Sequence, residues 1–127
     1  MACSKTVRHA SIFLLEDDAL IRMMLVGMLE ELGHRVIAEA GSLRDAETLA
    51  QTTEFDLALL DINIAGDNVA PVAAIVAQRG LPLLFVTGYV ASGMPEGFED
   101  RPMIQKPFVL SNLAVAIELA LRGRAQS

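Results

Sequence analysis

Residues 57–60, Leu-Ala-Leu-Leu, carry no polar side chain and run straight into Asp61. With Phe55 and Asp56 ahead of them they read as a short strand that stops on an aspartate and opens into a polar loop. A strand apolar on both faces belongs in the middle of a parallel sheet covered by helices. Ligands of such open sheets bind beyond the carboxyl ends of the strands. Asp61 stands at one of those ends, so the question becomes which other side chains reach the same edge.

Taken in order, the chain alternates strand and helix signals. Ser11-Ile12-Phe13-Leu14-Leu15 is a continuous apolar strand ending on Glu16-Asp17-Asp18. Leu20, Ile21, Met24, Leu25, Met28, Leu29 and Leu32 then recur at helical spacing, predicting one apolar helix face with Gly33 as its stop. Either Asp17 or Asp18 is placed to cap that helix, and its methionines are expected to fill core. Residues 34–40 give a weaker strand suited to a sheet edge, with His34 expected as an ordinary exposed side chain. Ser42-Leu43-Arg44-Asp45 resembles a capping box before a second helix that buries Leu43, Ala46, Leu49 and Ala50. Past the Asp61 strand, Pro71 opens a third helix that stops at Gly80. Residues 81–86 are a further buried strand leading to Thr87-Gly88-Tyr89.

Gly93, Pro95 and Gly97 make any fourth helix short or frayed, since a mid-helix Gly costs about 1 kcal/mol and Pro about 3. Residues 101–105 form the last strand, followed by Lys106-Pro107-Phe108 and a final helix from a Ser111 cap to Arg122, with Gly123 as its stop. Five strands alternating with helices predict an α/β three-layer sandwich.

At 127 residues the expectation is a single domain, with a core over about residues 10–123 and a flexible N-terminal tail. No apolar run approaches the ~20 residues of a membrane span. The opening residues are too polar for a signal peptide. One cysteine, Cys3, excludes an internal disulfide and fits a reducing, cytoplasmic location. A net charge of −6 with no basic run argues against direct nucleic-acid binding. His9 and His34 stand apart from Cys3 and from each other in sequence, so a zinc site is not supported.

Four predicted strand ends therefore carry polar chemistry on one edge: Glu16 and Asp17, then Asp61, Thr87 and Lys106. Singly, each is explained by helix capping or turn chemistry; together, on central strands, they describe a site. Three clustered carboxylates repel unless a proton or cation relieves them, and an all-oxygen cluster suits Mg²⁺. With the Lys106 ammonium and the Thr87 hydroxyl, that cation forms a cradle for a phosphoryl group. The central carboxylate, Asp61, is then the nucleophile.

Leu-Leu-Glu-Asp-Asp, Leu-Leu-Asp, Phe-Val-Thr-Gly-Tyr and Lys-Pro-Phe together resemble the receiver domain of bacterial two-component response regulators, over essentially the whole chain. The resemblance implies a flavodoxin/CheY-like sheet of order 2-1-3-4-5. It also implies Asp61 as phosphoacceptor, Glu16 and Asp17 as the Mg²⁺-binding acid pair, and a metal-bound backbone carbonyl at Asn63. Thr87 and Lys106 would bind the phosphoryl group, and the Lys106-Pro107 bond would be cis. The implied partners are a sensor histidine kinase or phosphotransfer protein, then a downstream protein or a second copy, met through the fourth helix, fifth strand and fifth helix. No nucleic acid or membrane is implied. Such a domain is a phosphoacceptor that slowly dephosphorylates itself rather than a turnover enzyme, and it signals by protein contact or serves as a phosphate sink.

The chain departs from the family pattern in places. Ala65 and Val69 replace a common proline and glycine, the stretch between Thr87 and Lys106 is short, and Met103 replaces the usual switch aromatic. Tyr89 follows Thr87-Gly88 instead, which resembles a stand-alone receiver subgroup with a Phe-Ala-Thr-Gly-Tyr fourth strand, and Thr87 with Tyr89 is the expected switch. Three rivals remain. An FMN-binding flavodoxin would find its phosphate repelled by Glu16-Asp17-Asp18. A Mg²⁺-dependent aspartyl phosphatase usually has an acid where Asn63 stands. A docking pseudo-receiver would have no use for Asp61, Thr87 and Lys106.

Overall fold

Alternate residues of each central strand face opposite layers, and this decides the architecture. In a computed structural model that describes residues 9–88 and 93–126 (123–126 by backbone alone), five parallel strands form one sheet. They are β1 (Ser11–Leu15), β2 (Arg35–Ala40), β3 (Leu57–Asp61), β6 (Leu83–Thr87) and β7 (Met103–Gln105), in the order β2-β1-β3-β6-β7. That is the predicted 2-1-3-4-5 arrangement of a flavodoxin-like α/β fold. Two further strands, β4 (Asn63–Ile64) and β5 (Asp67–Asn68), pair antiparallel outside it and were not expected from sequence.

Phe13, Leu15, Ala58, Leu60, Leu83 and Phe85 pack one way, against α2 (Leu43–Thr52) and α3 (Ala70–Gln78). Ile12, Leu14, Leu57, Leu59, Leu84 and Val86 pack the other way, against α1 (Ala19–Glu31) and α4 (Leu110–Gln126). All five residues of β3 are buried, Asp61 included. Burying each leucine stabilises by about 1.5–3 kcal/mol, so β3 is anchored firmly enough to carry a buried carboxylate at its end.

Local signals behave as their chemistry requires. Ser42 Oγ accepts the Asp45 N–H at 3.2 Å to open α2. Asp18, not Asp17, caps α1, its Oδ1 accepting from Leu20 and Ile21 N–H at 2.9 and 3.1 Å. Gly33, with φ of 94°, follows the end of α1, as expected of a glycine stop.

Several expectations need correction. Ser111 lies inside the first turn of α4 rather than capping it, because the helix begins at Leu110, and Gly123 does not end a helix that runs on to Gln126. No helix occurs over 93–102, which holds turns; residues 89–92 lie outside the described residues, so α4 is the helix expected as the fifth. On α1, Leu20, Met23 and Met24 are exposed, and Leu25 and Leu29 carry the core contact. A helix against one sheet face buries a narrower stripe than the apolar spacing implied. His34 is buried rather than exposed, because its Nδ1 accepts the backbone N–H of Ala10 at 3.1 Å. Among the described residues no helix is long and apolar enough to cross a membrane.

Candidate functional site

The carboxyl edge of the sheet is built strand by strand. After β1 the chain stays tied for one more residue, the Glu16 N–H donating to the Ala40 carbonyl at 3.1 Å. The Glu16 side chain is 1% exposed, and its Oε2 accepts the Asp18 N–H at 3.1 Å. Because Asp18 is committed to capping α1, Asp17 is the acid that reaches outward. Its Oδ2 accepts the Ala65 N–H at 2.8 Å, joining the β1–α1 turn to the loop after β3.

That loop explains a departure from the family pattern. The β4–β5 hairpin turns on Ala65 (φ 52°) and Gly66 (φ 95°), and positive φ at both central residues is the type I′ signature. Proline, fixed near −65°, fits neither the conformation nor the N–H that Asp17 accepts. Asn63 Oδ1 accepts the Gly66 N–H at 2.9 Å within this turn. Val69 needs no glycine conformation either, with φ of −77° and its N–H on the Ile62 carbonyl at 2.9 Å.

Asp61 closes β3 with Oδ1 accepting the Asn63 N–H at 3.2 Å and Oδ2 3.1 Å from Lys106 Nζ. Lys106 is set by its own backbone N–H, which donates to the Thr87 carbonyl at 2.8 Å, and its bond to Pro107 is cis. Thr87, buried at the end of β6, faces the same cleft. This cleft has a volume of about 760 Å³, and Glu16, Asp17, Asp61, Asn63, Thr87 and Lys106 all line it. Tyr89 lies outside the described residues.

Lys106 Nζ is also 3.1 Å from Glu16 Oε1, at ion-pair distance. That buried oxygen nevertheless has no aligned hydrogen-bond donor. Burial raises the Glu16 pKa to about 7, with the neighbouring Asp61 adding to the rise against the Asp18 N–H and Lys106. Burial pulls the Lys106 ammonium down, but Asp61 and Glu16 outweigh it and hold its pKa above the ordinary value. The site is therefore short of positive charge.

Glu16, Asp17 and Asp61 each offer a carboxylate oxygen, all within 4.8 Å of one another. An all-oxygen donor set with one under-satisfied buried oxygen fits a hard divalent cation. These three acids would hold Mg²⁺.

The family model for the response regulator receiver domain matches residues 12–118. The chain belongs to that family. Curated relatives of this receiver domain include the transcriptional regulatory protein PdtaR of Mycobacterium tuberculosis, 33% identical over 114 residues, which are 87% of this chain and 56% of PdtaR. The phyllosphere-induced regulator PhyR of Methylorubrum extorquens is 33% identical over 119 residues, 87% of this chain and 43% of PhyR. The chain thus spans about half the length of the curated relatives it matches. Among solved structures, SdrG from Sphingomonas melonis Fr1 superposes with a TM-score of 0.78 at 34% identity, over 87% of this chain and 95% of SdrG. The anti-anti-sigma factor PhyR of Bartonella quintana gives 0.78 at 25% identity, over 94% and 51%. Receiver domains act in two-component signalling and bind Mg²⁺, which agrees with the acid cluster.

The edge residues read from sequence, Glu16, Asp17, Asp61, Thr87 and Lys106, do converge. Sequence reasoning missed the Ala65 N–H, because a backbone donor leaves no mark in the side-chain pattern. It also missed Arg22, whose guanidinium donates to the Glu16 carbonyl from six residues along the chain.

Proposed function

We propose that this receiver domain takes a phosphoryl group onto Asp61 from a phosphohistidine of a sensor histidine kinase or phosphotransfer protein. The carrying observation is a single carboxylate at the strand end with an ammonium 3.1 Å away, in a cleft that Glu16, Asp17 and Thr87 also line. Asp61 oxygen attacks phosphorus, the P–N bond breaks, and its electron pair returns to the imidazole nitrogen. An acyl phosphate forms. Lys106 balances charge on the incoming oxygens, and the Thr87 hydroxyl donates to one of them. Glu16, Asp17 and Asp61, with the Asn63 carbonyl, would hold Mg²⁺, which would supply further charge neutralisation.

The phosphorylated state is read by another protein or a second copy of the chain. Val115 and Leu119, one turn apart on α4, remain exposed while Leu113, Ile117 and Leu121 pack inward, leaving an apolar pair open to a partner. The regulatory names of the relatives support an output of this kind.

Incubation with Mg²⁺ and acetyl phosphate tests the acceptor. One phosphoryl group labile to hydroxylamine should appear in the wild type and none in Asp61→Asn. Undiminished labelling of that variant overturns the assignment.

A further inference from the structure

We infer that Arg22 and Gly41 form a clasp that positions the cation-binding acids, an inference that rests on the proposed Mg²⁺ role of Glu16 and Asp17. From α1, Arg22 Nη1 donates to the Glu16 carbonyl at 2.6 Å. A donor carrying full charge makes this stronger than a neutral backbone bond. On its other side, Glu16 donates its N–H to Ala40, the residue before Gly41. Both polar groups of the Glu16 backbone are thereby pinned, and with them the plane of the Glu16–Asp17 peptide. That plane sets the direction in which the Asp17 side chain leaves the chain.

Gly41 makes room for the guanidinium. A Cβ built there would lie 2.7 Å from Arg22 Nη1, 3.5 Å from Cζ and 3.8 Å from Nη2, and these are its three nearest neighbours. The backbone at Gly41 has no positive φ, so conformation does not demand glycine. Its bare backbone matters only because Arg22 passes over it. Glu39 steers the same guanidinium through an ion pair of 3.5 Å, but its side chain is 48% exposed. Such a pair adds little by itself. Arg22 is thus a positioning residue acting through Glu16, touching neither cation nor phosphoryl group.

This geometry predicts a coupled pair. Gly41→Ala should push the guanidinium off the Glu16 carbonyl and leave the fold intact, since the obstacle is the far end of one flexible side chain. Partners that orient metal ligands typically change affinity 10- to 100-fold when lost. We expect Mg²⁺ affinity, measured by titration, to fall about 10-fold in Gly41→Ala and in Arg22→Met. In the double variant Gly41→Ala should add nothing to Arg22→Met. A second readout needs no metal: exchange of the Asp18 amide, which bonds Glu16 Oε2, should quicken in both single variants while exchange in β3 is unchanged. Wild-type affinity and Asp18 exchange in Gly41→Ala, or strictly additive losses in the double variant, overturn the clasp. A wild-type protein that ignores Mg²⁺ overturns the metal reading beneath it, and the amide exchange then still decides the clasp.

Discussion

Lys106 Nζ lies 3.1 Å from Asp61 Oδ2 and is the only basic group among the described residues lining the cleft. The same ammonium contacts Glu16, so one cation balances two buried carboxylates. Replacing it leaves both without a counter-charge, and breaking a buried pair costs about 3–5 kcal/mol. Lys106 is 22% exposed, which places the expected loss in Lys106→Met at the lower end, about 3 kcal/mol without Mg²⁺. Urea unfolding at neutral pH measures it, and saturating Mg²⁺ should recover part of the loss. An unchanged midpoint would show that water already screens the pair.

Ala65 holds a left-handed conformation that costs an L-residue roughly 1–2 kcal/mol. Ala65→Gly should therefore raise stability by about 1 kcal/mol while keeping the N–H on Asp17. Ala65→Pro, the residue common at this place in the family, loses both the conformation and the donor. It should cost more than about 1 kcal/mol and weaken the Mg²⁺ response of the melting temperature. Equal stability of the proline and glycine variants would contradict the hairpin geometry.

Glu16 gives the metal-free protein a pH signature. Its folded pKa of about 7 lies above the ordinary 4.5, so the folded state binds the proton more tightly than the unfolded state. Stability from this group is fully present below about pH 4.5 and declines as pH rises toward 7. Glu16→Gln should flatten that decline, read as melting temperature against pH in the presence of a chelator. A decline of the same slope in the variant would place the titration elsewhere.

His34 works in the opposite direction over part of the same range. Burial lowers its pKa from 6.5, with His9 adding to the fall and Glu118 opposing it. Its Nδ1 must stay unprotonated to accept the Ala10 N–H. Stability from His34 is present above about pH 6.5 and is lost as pH falls through the lowered folded value. His34→Gln keeps an acceptor without titrating, so the acid-side loss should vanish. Comparing it with Glu16→Gln separates the two slopes, and an unchanged acid limb would exclude His34.

By itself the sequence determined the succession of strands and helices and the edge chemistry, because both follow from local pattern, while the 2-1-3-4-5 order of the sheet was implied by the family resemblance and is seen in the structure. Leu57 to Leu60 is apolar on both faces and can only be a covered central strand, and Glu16, Asp17, Asp61, Thr87 and Lys106 each stand just where a strand signal stops. Only the tertiary structure decided which acid caps α1, why Ala65 rather than proline turns the hairpin, that His34 is buried, and that Arg22 reaches Glu16 across Gly41. Periodicity reports how side chains divide between core and solvent along one element. It carries no information on backbone donors such as the Ala65 N–H, nor on how closely two elements far apart in the chain approach. The exposed Leu20, Met23 and Met24 on α1 show the same limit. Their spacing marks an apolar stripe, and how much of it the sheet covers is set by where the packed neighbours end.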